Sequence, residues 1–124
     1  MGTRADFYIR RKKILQQGDW IGSIAWDGYP EGMPAKLLNA TTEKEFLDAV
    51  KEIEKDDDSF VDPNKDGWPW PWDNSYLTDY VYTFNVKTGK VVYRSFDKAT
   101  KFPDMKSFKK AQGKSGFLVF TVKK

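Results

Sequence analysis

Apolar side chains recur at a helical period in one part of the chain and at a period of two in several others. Phe46, Leu47, Ala49, Val50 and Ile53 stand at i, i+1, i+3, i+4 and i+7, with Glu43, Lys44, Asp48, Lys51, Glu52, Glu54 and Lys55 filling the rest. This spacing predicts an amphipathic helix from about 42 to 55, with one face that must be covered. Thr42 and Glu45 form a capping box at its start. Asp56, Asp57 and Asp58 put negative charge at the negative end of the helix dipole and end it.

The strand patterns are shorter. Asp6 to Arg10 and Trp20 to Trp26 read as a first pair joined by a polar connection, and Asp27-Gly28-Tyr29-Pro30 as the turn after it. On the second strand Trp20, Gly22, Ile24 and Trp26 fall on one face, with Gly22 leaving a gap for a neighbouring aromatic. Residues 31–40 read as irregular or briefly helical. Tyr80 to Val86 and Val91 to Phe96 are strongly β-forming and joined through Lys87-Thr88-Gly89-Lys90, where glycine supplies a positive φ. Residues 102–112 read as a loop with a short lysine-rich helix, and Gly116 to Val122 as a last strand. The expected fold is α+β: a mainly antiparallel β-sheet of four to six strands with one main amphipathic helix packed on a face. All 124 residues fit a single compact domain.

One segment resists both periods. In Gly67-Trp68-Pro69-Trp70-Pro71-Trp72-Asp73 the prolines remove backbone donors and push the preceding tryptophans into extended conformations. A strip along a border of the sheet is expected, with the three indoles on one face.

Composition narrows the chemistry. With no cysteine and no histidine, thiol chemistry, the usual zinc ligand sets and Ser-His or Cys-His nucleophile pairs are excluded, so the expectation is a protein that is not an enzyme. No apolar stretch is long enough for a membrane span or a signal core, which places the expected site of action in the cytoplasm. The net charge of +3 conceals segregation. Residues 1–13 hold five basic and one acidic side chain, 14–86 five basic and fifteen acidic, and 87–124 eleven basic and two acidic. Such basic ends suit nucleic acid or an acidic partner, or else serve solubility.

Three candidate sites follow. Trp68, Trp70 and Trp72, with Trp20, Trp26, Tyr29, Tyr76 and Tyr80, form either a stacking platform for bases or the interior of the domain, and an exposed remnant would anchor a protein partner. Arg10, Arg11, Lys12 and Lys13, with Lys106, Lys109 and Lys110, would steer that partner or contact phosphates. Asp62, Asn64 and Asp66, in the order D-x-N-x-D-G, and Asp73 at the twelfth position match a Ca2+-binding loop. Against that, the prolines forbid an exiting helix and the same residues make an ordinary turn, which is the favoured reading; no cofactor is expected.

The segments Met1 to Tyr8, Trp20 to Pro30 and Gly67 to Ser75, with Thr78-Asp79-Tyr80, resemble a family of small uncharacterised proteins of bacteriophages and prophages. The likeness covers roughly the first 96 residues, and no binding residues carry over from it. It implies a small phage accessory protein that binds a host protein or nucleoprotein in the bacterial cytoplasm, a class that includes anti-CRISPR inhibitors of host defence. The alternatives are a sponge stacking a nucleotide signal between tryptophans, with Arg10, Arg11 or Arg94 on its phosphates, and a weakly specific nucleic-acid binder using the basic C-terminal region.

Overall fold

The computed structural model describes residues 3–12, 19–71, 75 and 78–95. Four strands form one mixed sheet: β1 (Ala5–Arg10), β2 (Trp20–Ile24), β3 (Tyr80–Asn85) and β4 (Lys90–Ser95), in the order β2-β1-β3-β4. The β1–β2 and β3–β4 pairs are antiparallel, as expected, while β1 and β3 run parallel from Ala5↔Tyr80 to Arg10↔Asn85. The architecture is α+β, with one main helix on one face of the sheet. The expected strand at 116–122 and helix within 102–112 lie outside the described residues.

A short helix α1 (Ala35–Leu38) precedes the main helix α2 (Glu43–Asp56). Thr42 Oγ1 accepts the Glu45 N–H at 3.1 Å, and Glu45 Oε1 accepts the Thr42 N–H at 3.2 Å, so the capping box is complete. The apolar stripe of α2, Phe46, Ala49, Val50 and Ile53, is buried against Ala5, Phe7 and Ile9 of β1, Ile24 of β2, and Tyr82 and Phe84 of β3. Phe46 and Phe84 meet with ring centroids 5.9 Å apart. Fully burying each such side chain contributes about 1.5–3 kcal/mol, which outweighs helix propensity in holding α2 in place.

Between β3 and β4 the chain turns on Gly89, whose φ of 65° glycine adopts without the Cβ penalty that most other residues meet there. Asn85 Oδ1 accepts the N–H groups of Lys87 and Thr88 and so closes the turn.

Strand β2 differs from the expected alternation. Its register against β1 shifts between Phe7 and Tyr8, so Ile21 is the extra residue of a bulge: Gly22 pairs with Phe7, and Trp20 with Tyr8. Gly22 and Ile24 therefore face α2, while Trp20 and Ser23 face the opposite side with Asp6 and Tyr8. The gap at Gly22 is filled as expected, because the Phe60 ring lies where a Cβ would stand.

Candidate functional site

On β1, Ala5, Phe7 and Ile9 point toward α2, so strand alternation sends Asp6 to the other face. There its carboxylate is fully buried and surrounded by donors. Ser23 Oγ donates to Oδ1 at 2.6 Å, Trp70 Nε1 to Oδ1 at 2.7 Å and Ser75 Oγ to Oδ2 at 2.6 Å. The Thr78 side chain adds a fourth hydrogen bond. Because the Ser75 proton is committed to Asp6, Tyr8 OH donates to Ser75 Oγ at 2.6 Å. Burial pushes the Asp6 carboxyl above its ordinary pKa, and the four donors oppose that shift. Burial also raises the Tyr8 hydroxyl well above its usual value, with the Asp6 charge adding to it.

This cluster decides where the tryptophan segment sits. Trp70 reaches Asp6 on an interior strand, so the segment covers the sheet face opposite α2 and does not pair along a border as expected. Residues 67–71 carry no strand pairing. Trp68 meets Trp20 edge to face, with centroids 5.0 Å apart at 69°, and the Arg4 guanidinium lies 5.8 Å from the Trp70 ring. Trp20 in turn donates its Nε1–H to Gly22 O and Ser23 Oγ, both at 2.9 Å. Trp68 and Trp70 are half-buried and hold the layers together; Trp72 lies outside the described residues.

The basic candidates are divided. Arg10 is half-buried, donates through Nε to Lys12 O at 3.2 Å, and has its pKa lowered by burial. Arg11 makes a bidentate pair with Glu43 at 2.7 and 2.8 Å, beside the start of α2. Lys12 is exposed, whereas Lys13, Lys106, Lys109 and Lys110 lie outside the described residues.

In the candidate Ca2+ loop the oxygens serve the turn. Asp62 Oδ1 accepts the Asn64 N–H at 2.8 Å, and Asp66 Oδ2 accepts the Asp62 N–H at 3.1 Å. Asp73 lies outside the described residues. Among the described residues no group of three or more His, Cys, Asp or Glu side chains is placed to hold a metal ion. No helix among them is long and apolar enough to cross a membrane.

The aromatic side chains left facing water are elsewhere. Tyr93 of β4 is 45% exposed, its ring 5.6 Å from that of Tyr82, whereas Trp26 at 49% and Tyr29 at 38% stand together on either side of the turn that follows β2. Asp27 at that turn has a φ of 62°, and its Oδ1 accepts the Tyr29 hydroxyl at 3.3 Å. Gly28 is pinned beneath, where its N–H reaches Thr3 O at 2.9 Å and its carbonyl accepts Tyr82 OH at 2.6 Å. Trp26 thus stands on a fixed loop over an open groove of about 300 Å³ floored by Ile24, Met33 and Ile53. Around it stand the carboxylates of Asp27, Glu52, Asp56 and Asp57. Lys36 pairs with Glu52, and Asp57 accepts the N–H and hydroxyl of Ser59 at 2.8 and 2.6 Å. The Asp27 charge, with Glu31 adding to it, raises the pKa of the Tyr29 hydroxyl.

Sequence reasoning placed Trp26 within an aromatic set without separating it from the interior members. The available signal was its position directly before the turn residues Asp27-Gly28.

The chain matches no protein-family model, and neither a curated protein nor a solved structure matches it.

Proposed function

We propose that this chain is a non-enzymatic phage accessory protein that works in the cytoplasm of the bacterial host, where it binds a host protein or nucleoprotein and blocks a defence complex. The phage and host-defence context comes from the resemblance of its Met1 to Tyr8, Trp20 to Pro30 and Gly67 to Ser75 segments. The surface comes from one observation: Trp26 and Tyr29 are substantially exposed on a hydrogen-bonded turn, while Trp68 and Trp70 pack into the layer over the sheet. Tryptophan and tyrosine dominate the energetics of protein interfaces because they bury much area and lose little rotamer freedom.

The reading is tested by affinity capture from bacterial lysate with the full chain, Trp26→Ala and Tyr29→Ala as baits, each with and without nuclease. It predicts captured proteins that survive nuclease and are lost with either variant. Capture unchanged by both variants rules out this face, and capture abolished by nuclease points instead to nucleic acid.

A further inference from the structure

The groove beside Trp26 has a composition that selects its occupant. Its floor is aliphatic, one wall is an indole, and its lining carries four carboxylates, of which Glu52 is paired with Lys36. An anion would be repelled there, and a purely apolar side chain would leave the carboxylates to be desolvated without a partner. A cation with a flat apolar face suits both parts, because it can lie against the indole while hydrogen-bonding to the rim.

We infer that this groove takes an arginine side chain presented by an exposed basic segment of the partner protein. The inference rests on the reading above for its context and adds the chemistry of what is bound. Guanidinium stacks on an aromatic face and meets a carboxylate with two parallel N–H donors, whereas ammonium is a strongly hydrated point charge that does neither as well. Asp27 and Asp56 supply the rim charge: Asp27 adjoins the indole in sequence and keeps Oδ2 beside the Oδ1 that accepts the exposed Tyr29 hydroxyl, and Asp56 is the last residue of α2. Asp57 is tied to Ser59 and Glu52 to Lys36, so these two contribute field more than direct contact. The Asp27 turn is braced from below by Gly28, so the indole is presented without a large ordering cost.

The test uses the purified full chain and a blocked glycine pentapeptide carrying one central arginine, titrated while the indole N–H resonances are followed. Trp26→Phe identifies the Trp26 signal by its disappearance. The arginine peptide is expected to shift that resonance saturably and to weaken with salt. The lysine counterpart should bind about threefold or more weakly, and the uncharged citrulline counterpart should not bind detectably. Asp27→Asn and Asp56→Asn should each weaken binding about threefold, while Asp48→Asn, on α2 outside the groove, leaves it unchanged. Equal binding of the three peptides, a shift confined to other indoles, or indifference to Asp27→Asn and Asp56→Asn would overturn the assignment. If the peptide fails while Trp26→Ala still abolishes capture from lysate, the face stands and the arginine assignment falls. If the peptide binds but capture ignores Trp26, the arginine assignment stands and the proposed docking role falls.

Discussion

The Trp70 indole donates its N–H to the carboxylate of Asp6 over 2.7 Å, joining a proline-bounded segment to an interior strand 64 positions earlier. The bond is shielded from solvent on the Asp6 side, and the acceptor is charged when ionised, so it belongs to the stronger class of hydrogen bonds. Trp70→Phe keeps most of the ring and removes the donor. A loss of about 1–3 kcal/mol is expected in urea or guanidinium unfolding. A change below a few tenths would mean that the remaining donors re-close around the carboxylate.

The same carboxylate gives a signed pH dependence. Its pKa is higher in the folded protein than the ordinary 3.8, so the native state takes up the proton first as pH falls. This one group therefore favours folding progressively as pH drops through the window between the raised value and 3.8. Glu43, Glu45 and Asp48 act in the opposite sense, their pKa values held down by hydrogen bonds from Arg11, from the Thr41 backbone and from Lys44 respectively. Comparison with Asp6→Asn, which cannot titrate, isolates the effect. The stability of the parent relative to Asp6→Asn should rise as pH is lowered toward 3.8, read from unfolding curves at each pH.

Gly22 and Phe60 form a second dependent pair. Gly22→Ala places a methyl group where the Phe60 ring lies, at an expected cost of about 1–3 kcal/mol. Phe60→Leu in the Gly22→Ala background should return part of that loss. A double-mutant cycle showing simple additivity would mean that the ring moves aside freely.

Thr42→Ala tests the start of α2. It removes the acceptor for the Glu45 N–H and leaves the reciprocal bond from Glu45 without its partner interaction. A loss of about 1 kcal/mol is expected, measured as a lowered thermal midpoint with unchanged far-ultraviolet dichroism at low temperature.

How much of this was legible in the sequence depends on the range over which each signal acts. The helix expected from 42 to 55 is found at Glu43–Asp56, because capping and periodicity are written within a few turns. The β3–β4 hairpin is equally local, with Asn85 and Gly89 carrying its turn. The parallel pairing of β1 with β3 leaves no local trace, since it is decided by which faces α2 can cover. The bulge at Ile21 is also silent, and it reverses the side on which Trp20 projects.

Asp6 offered the one readable warning at the site, being a lone acid between Ala5 and the apolar run Phe7-Tyr8-Ile9. An acid in such a strand must be either exposed or fully satisfied, and only the distant Ser75, Thr78 and Trp70 reveal which. For the exposed face, the acidic middle of the chain was legible as charge, whereas its convergence around Trp26 required the return of α2 beside β2.

The parallel pairing also sets an order of events during synthesis. Strand β1 is flanked on one side by β2, made soon after it, and on the other by β3, which begins directly after Asp79, whose carboxylate accepts the Arg4 N–H across 75 positions. Until that stretch leaves the ribosome, β1 has an open hydrogen-bonding edge that can pair with a neighbouring nascent chain. Release of the growing polypeptide before Tyr80 would thus yield aggregation-prone fragments, and closure of the sheet awaits the synthesis of β3.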